Sequence, residues 1–200
     1  IYHTHSQEGY ADSVPGDAST SVVGVGDYLT KLLTEQYGFN VIHHKGEYDV
    51  GDRDHAYSKA GPGLEEVLAE NPGVEVVIDL HRDGVAESTR LVTQVNGIQM
   101  AQVMFFNGLS RTTAMGDIDY LYNPYIADNL AISFQMQLKA AEYYPGFTRR
   151  IYLKGYRYNM HYCPKTLLIE VGAQTNTVSE AMNAMVPLAD LLNKVLTAQR

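Results

Sequence analysis

A single cysteine, Cys163, stands in the 200 residues, so no internal disulfide can staple the chain and the redox state of its compartment is not readable from it. Without a paired base, a lone cysteine reads as a small buried apolar residue rather than a nucleophile. Long apolar runs are missing too, and nothing approaches the roughly 20 residues a membrane-spanning helix needs. There is no cluster of Lys and Arg, and the formal charge is −8. Binding to a phosphate backbone rests on concentrated basic side chains, so the composition argues against a nucleic-acid partner. Repeats, low-complexity stretches and linker-like segments are absent. The chain opens at Ile1 rather than at a start methionine, which leads us to expect an excised piece of a longer protein, with any signal or anchor lying before it. What remains has 45% hydrophobic and 19% charged residues, values expected of one globular domain over residues 1–200.

Turn signals recur at the intervals of a chain that alternates strands and helices. A strand is expected to end near Tyr2. "TSVVGVGDYLTKLLTEQYG" then places Val22, Val25, Leu29, Leu32 and Leu33 at helical spacing, with a Ser or Thr cap before it and Gly38 as its stop. "FNVIHH" reads as a strand, "GPGLEEVLAEN" as a short helix and "GVEVVIDLH" as a buried strand. "TRLVTQV" and "MAQVMFFNG" flank "NG", the strongest short hairpin signal. A long helix is predicted from Pro124 to Tyr143, then strands in "RRIYLKG" and "KTLLIEVG". The last helix, "TVSEAMNAMVPLADLLNKVLTAQ", opens with a capping box, Thr177 three residues before Glu180, and Pro187 is expected to kink it. The fold predicted is α/β: a three-layer sandwich with a mixed, mostly parallel sheet flanked by helices.

Three apolar strand-like runs, "IYHTH", "VVIDLHRD" and "LLIEVG", each meet a metal-capable or acidic side chain at their carboxyl end. In open α/β sheets the ligand crevice lies outside those ends, so His5, His81 and Glu170 are expected to meet in space. His5 and Glu8, three apart, share one face of a helical turn. Two histidines and a carboxylate that leave a fourth position for water are the ligand set of catalytic zinc, which makes His5, Glu8 and His81 the candidate metal ligands. Glu170 follows an apolar strand, where partial burial raises a carboxyl pKa toward that of a working general base, and Gly172 lets substrate or backbone come close. Asp79 or Asp83 is a candidate to accept the second ring N–H of His81.

Spacing alone does not choose the pair. With seven histidines and 23 acids, roughly one His-x-x-acid match is expected by chance, and His44 with Glu47, next to His43, repeats the pattern. The blander reading is a polar strand end with surface histidines. What favours His5 and Glu8 is the pair of matching termini on two further strands. His3, alternating with His5, is expected behind the site or in packing, and His55 and His161 read as surface or satisfied core.

In the order "IYHTHSQEGY", "IDLHRDG", "YNMHYCPKTLLIEVGAQTNTVSEA", the chain resembles the stage II sporulation protein P family of N-acetylmuramoyl-L-alanine amidases, relatives of the zinc cell-wall amidases. The resemblance covers essentially the whole chain, and "EYDVGDRDHAYSKA" matches more loosely. It implies a Zn²⁺-dependent hydrolase that cuts the amide between the lactyl group of N-acetylmuramic acid and L-alanine in peptidoglycan, freeing stem peptides from glycan. His5 and His81 match the family's metal histidines and Glu170 its catalytic glutamate. In the broader amidase group the ligand glutamate comes nearer the first helix, where "DASTSVVGVG" holds only Asp17, so Glu8 is the choice and Asp17 the reserve. The family implies an extracytoplasmic protein, anchored to the cell membrane by an N-terminal helix outside this chain and working with a glycan-cleaving partner during spore engulfment.

Beside the expected metal, the planar fork of Arg82 suits an oxyanion or a peptide carboxylate, or else an ordinary surface ion pair. Asn159 and Asn176, flanking Glu170, are candidates for substrate hydrogen bonds or turn caps. "LSRTTAMGDIDYLYNPY" has the length and composition of a loop over the site. Two other functions fit parts of the pattern. A zinc carboxypeptidase would need a basic side chain, Arg82, Arg90 or Arg111, for the terminal carboxylate; a non-catalytic peptidoglycan-binding module would need no metal.

Overall fold

The computed structural model describes residues 1–197. Local signals explain most of its elements. Helix α1 (Val22–Tyr37) begins where Ser21 Oγ accepts the N–H of Val23, and it ends at Gly38, whose φ of 70° costs glycine no steric strain. Helix α2 (Ala56–Glu70) starts ahead of the predicted segment. Strand β1 (Val77–Asp83) is buried for most of its length. β2 (Val92–Val95) and β3 (Ile98–Ala101) pair antiparallel around Asn96 and Gly97, with φ of 50° and 80°. The hairpin is the predicted one, but its second strand stops at Ala101. β4 (Val103–Gly108) then leaves for the main sheet. β5 (Arg111–Thr112) and β6 (Gly116–Asp117) make a small second hairpin, followed by α3 (Ile126–Tyr143), β7 (Tyr152–Lys154), β8 (Thr166–Ala173) and α4 (Val178–Thr197).

The capping box of α4 forms as predicted: Glu180 N–H donates to Thr177 Oγ1 at 3.1 Å and Thr177 N–H to Glu180 Oε2 at 3.0 Å. Pro187 lies inside this helix. Ala198 and Gln199, to which the pattern extended it, lie outside the described residues. One predicted strand is corrected. Residues 39–44 are extended, but their ladder reduces to Ile1 N–H···O=C Ile42 at 2.7 Å and His44 N–H···O=C Ile1 at 2.8 Å, too few bonds for a strand.

The main sheet has the order β1-β8-β4-β7, with β1 and β8 parallel, β8 and β4 antiparallel, and β4 and β7 parallel. Tyr2 extends it by a parallel bridge to Asp79. Side-chain alternation then decides the layers. Ile78, Leu80, Val103, Phe105, Leu167, Ile169 and Val171 point into the main core with α1, α3 and α4. Val77, Asp79, His81, Leu168, Glu170 and Phe106 occupy the alternate positions and face the other way, where Val77 and Tyr2 meet Ala60 and Leu64 of α2. The result is the predicted three-layer sandwich with a mixed, mostly parallel sheet. One face lies under three helices. The other carries only α2, and the part left uncovered is a cleft.

Candidate metal centre

His5 sits in a turn over residues 4–7, closed by Glu8 N–H···O=C His5 at 3.3 Å. Two buried aspartates pin that turn. Asp79 accepts Thr4 N–H at 2.9 Å and Thr4 Oγ1–H at 2.7 Å; Asp49 accepts Ser6 Oγ–H at 3.0 Å and Gln7 N–H at 3.2 Å. Glu8 O accepts the N–H of Val22, which joins the turn to the start of α1. His81 arrives from the sheet, paired in register with Glu170. His5, Glu8 and His81 converge: each offers one ligand atom and all of these lie within 4.8 Å of one another. Among the described residues no other group of three His, Cys, Asp or Glu does so.

The separations suit a small tetrahedral ion. His81 Nδ1 is 3.3 Å from Glu8 Oε2 and His5 Nδ1 is 3.5 Å from Glu8 Oε1. Bonds of about 2.0–2.1 Å at tetrahedral angles give edges of about 3.3 Å, so each histidine stands near that distance from one oxygen of the Glu8 carboxylate, His5 from Oε1 and His81 from Oε2, and the donor types are those of zinc. Asp79 Oδ1 lies 2.7 Å from His81 Nε2, off the line of a good hydrogen bond but close enough to keep that nitrogen protonated and Nδ1 turned to the cluster. Of the two aspartates considered, Asp79 is the one beside the His81 ring. Asp83 pairs with Arg149 at 2.6 Å.

Burial and charge oppose one another at the cluster. Burial opposes charge on His81, yet Asp79 and Glu8 outweigh it and hold the imidazole pKa well above its usual value. Burial likewise works against an ionised Glu8, but hydrogen bonds from His5 and His81 and the charges of His81 and Arg82 keep its carboxyl well below the ordinary range. A divalent cation would displace the His81 proton and take over its role. Glu170 behaves oppositely. Burial, helped by the charges of Glu8, Asp83 and Asp79 and resisted by His81, pushes its carboxyl up to about 7, and its buried Oε2 has no hydrogen-bond partner among the described residues.

The cleft, about 240 Å³, is lined by His5, Glu8, His81 and Glu170 together with Arg53, Tyr57, Arg82, Asp83, Gly84, Phe106, Tyr158 and Leu168. Arg82 is there as predicted, but its Nε–H and Nη1–H donate to the carbonyls of Gly9 (3.0 Å) and Asp83 (3.2 Å), so much of the fork braces the wall. Asn159 and Asn176, candidates for substrate hydrogen bonds or turn caps, do not line the cleft. Asn159 Nδ2–H donates to Tyr57 O, and fully buried Asn176 spends its amide on Leu91, Ala173 and Glu180. Asp17 caps a turn through Ser19 in solvent and is no part of the cluster. His44 bonds Tyr48 OH at 2.5 Å and does not join Glu47 in a cluster. His3 is buried behind the site, with Nδ1 2.7 Å from Leu80 O and Nε2 2.8 Å from His43 Nε2. His55 is exposed beside Asp52, His161 packs on Tyr162, and Cys163 is buried. Arg90 and Arg111 pair with Glu180 and Asp117, outside the cleft. No residue of 109–125 lines the cleft either, so that loop does not cover it.

Sequence reasoning missed Arg53, Tyr57, Tyr158 and Phe106. Arg53 Nη2 is 2.9 Å from Glu8 Oε1, and the Tyr57 ring lies over both imidazoles, 5.6 Å from that of His5 and 6.4 Å from that of His81. Asp49, Arg53 and Tyr57 all belong to "EYDVGDRDHAYSKA", the more loosely matching block, and Tyr158 opens "YNMHYCPKTLLIEVGAQTNTVSEA"; those blocks were the signals that could have found them.

A sheet of this order, with a histidine and glutamate cluster on its open face, has the fold of the cell-wall amidase domains. Over 99% of this chain and 98% of that one, it superposes on the CwlD amidase of Clostridioides difficile, solved in complex with the GerS lipoprotein, with a TM-score of 0.57 and 14% sequence identity. The N-acetylmuramoyl-L-alanine amidase AmiC2 of Nostoc punctiforme gives a TM-score of 0.51 at 12% identity, over 100% of this chain and 97% of that one. Residues 1–193 match Stage II sporulation protein P (SpoIIP), and the chain belongs to that family. Stage II sporulation protein P of Bacillus subtilis (strain 168) is 23% identical over 214 residues, which span 98% of this chain and 50% of that protein. The chain thus spans about half the length of this relative.

Proposed function

We propose that residues 1–200 form one catalytic domain, a zinc-dependent N-acetylmuramoyl-L-alanine amidase acting on peptidoglycan during sporulation. The observation that carries this is the convergence of three zinc-type donors beside a buried carboxyl with an unpartnered oxygen. His5, Glu8 and His81 would hold the ion, which when bound supplies Lewis-acid polarisation of a carbonyl and a more acidic water. The remaining work falls to the chain's own groups. Glu170, raised to about 7, is matched to taking a proton from the attacking water and delivering it to the departing alanine nitrogen. Its unpartnered Oε2 is the atom free to do so. Asp79 keeps His81 in the tautomer that presents Nδ1 and accepts from Thr4, and Asp49 accepts from Ser6 and Gln7, so that the two together hold the His5 turn in place. Arg82 serves a developing negative charge only through N–H groups not already given to Gly9 and Asp83. Glycan and stem peptide are the substrate on this reading. The domain acts outside the cytoplasmic membrane, alongside a glycan-cleaving partner. An anchor would lie elsewhere in the protein, since no helix among the described residues is long and apolar enough to cross a membrane.

Digestion of purified muropeptides tests the proposal. Release of intact stem peptide from muramic acid by protein carrying one zinc per chain is the expected result. Loss of only a terminal residue would mean a carboxypeptidase, with Arg53 at the cleft as its carboxylate anchor, and cell-wall binding without zinc or turnover would mean a binding module. Glu170→Gln should keep the zinc and lose about 10²–10⁴-fold in turnover, the usual contribution of a general acid–base.

A further inference from the structure

Beside the metal cluster, Tyr57, Tyr158 and Phe106 line the cleft and begin a run of aromatic rings that reaches past it to Tyr156 and Tyr152 and that the reaction chemistry does not use. The Tyr57 ring, stacked over His81, meets Tyr158 at 5.2 Å between centroids; Tyr158 meets Phe106 at 4.7 Å and Tyr156 at 6.4 Å, and Phe106 meets Tyr152 at 5.6 Å. Phe106 is buried and Tyr57 and Tyr158 are half-buried, while the outer two stand in solvent, Tyr156 at 61% exposure and Tyr152 at 43%. Lys154 lies over the Tyr152 ring, so Tyr156 is the more open platform.

This wall is built rather than incidental. Tyr158 and Asn159 both adopt left-handed φ, 51° and 53°, a costly conformation for a bulky residue that surrounding contacts must hold. Asn159 Nδ2–H donates to Tyr57 O at 2.8 Å, Met160 N–H donates to Arg157 O at 3.1 Å, and a Cβ at Gly108 would stand 2.8 Å from Tyr158 Cδ2. The loop is therefore seated hard against β4 with its rings set in advance of any ligand.

We propose that the Tyr158–Tyr156 wall is a glycan subsite, on which pyranose rings next to the cleaved muramic acid stack. The proposal rests on the amidase reading, and strand order carries it. Across the sheet the sequence is β1, β8, β4, β7, so Glu170 has His81, Glu8 and the guanidinium of Arg53 on one side and the uncharged rings of Phe106 and Tyr152 on the other. The scissile amide has the same polarity, an uncharged hydroxyl-rich sugar on one side and a carboxylate-bearing peptide on the other. Aromatic rings pair an apolar face with a polar rim, as a sugar's C–H face and hydroxyls require, and the arginine side suits the peptide.

Affinity for peptide-free glycan strands, measured by calorimetry on the zinc-loaded protein, tests this independently of hydrolysis. Tyr156→Ala should weaken binding about three- to tenfold, the range of one lost ring contact, and raise KM on polymeric peptidoglycan more than it lowers kcat. Tyr156→Trp should restore both, and Phe134→Ala, an exposed ring on α3 outside the run, should change neither. Glycan binding indifferent to Tyr156→Ala and Tyr152→Ala, or a loss confined to free stem peptide, would overturn the subsite. If muropeptides are not cut while Tyr156-dependent glycan binding persists, the amidase reading fails and the subsite stands.

Discussion

At the scale of the residue, Glu170 is a buried carboxyl that still titrates in an accessible range. Burial moves its pKa from 4.5 to about 7, so between those values the folded chain keeps a proton that the unfolded chain has released. The unfolded state gains as pH rises through that window. Metal-free protein should therefore lose roughly 3 kcal/mol of stability from this one group between pH 4.5 and pH 7. Glu170→Gln removes the titration. Urea denaturation should find the metal-free variant and wild type alike at pH 4, with the variant ahead by up to roughly 3 kcal/mol at pH 8; a difference independent of pH would mean that Glu170 is not buried in the way its contacts imply.

Among the elements, α1 carries a constraint that helix propensity would not predict. Replacing an interior helix glycine by alanine normally stabilises by about 1 kcal/mol. A Cβ on Gly26, however, would stand 2.8 Å from both His3 Nε2 and His43 Nε2, and neither ring is free to move away, because Leu80 O holds one and Asp27 Oδ1 the other at 2.9 Å. Overpacking against pinned groups costs about 1–3 kcal/mol, more than propensity returns. Gly26→Ala should destabilise the domain, and a variant with a raised urea midpoint would contradict the His3–His43 packing. The ends of α1 and α4 were legible in advance because Ser21, Gly38 and the Thr177–Glu180 box act on their own neighbours. Residues 39–44 were not. Their β-branched character is that of a strand, but a strand needs a partner, and among the described residues the segment's ladder bonds go to the single residue Ile1.

For the whole molecule, the candidate metal ligands come from two segments distant in the chain: the turn before α1 supplies His5 and Glu8, and β1 supplies His81. Zinc bound there would bridge the N-terminal segment to the sheet and stabilise only the folded state. At free zinc near 100 times its Kd the gain is about 2.7 kcal/mol, equivalent to a Tm rise of about 5–10 °C for a domain of this size. Calorimetry should show that shift lost on chelation and absent in His81→Ala; a Tm indifferent to chelator in the wild type would remove the ion from the cluster.

What the sequence determined by itself was the set of short-range decisions: caps, the Asn96–Gly97 hairpin, the apolar frames of β1 and β8, and the His5–Glu8 spacing. His81 and Glu170 were also readable, since each interrupts an apolar strand. Only the tertiary structure decided which of two similar His-x-x-Glu pairs meets a second histidine, because register and strand order join residues too far apart for any local pattern to record. It also put β4 antiparallel beside β8. That pairing brings Phe106, and through the strained loop Tyr158, to the open face of the sheet, while the loop before α2 sets Arg53 against Glu8 and the helix itself lays Tyr57 over the imidazoles. No spacing rule reaches those residues, because what unites them is the side of the sheet they share.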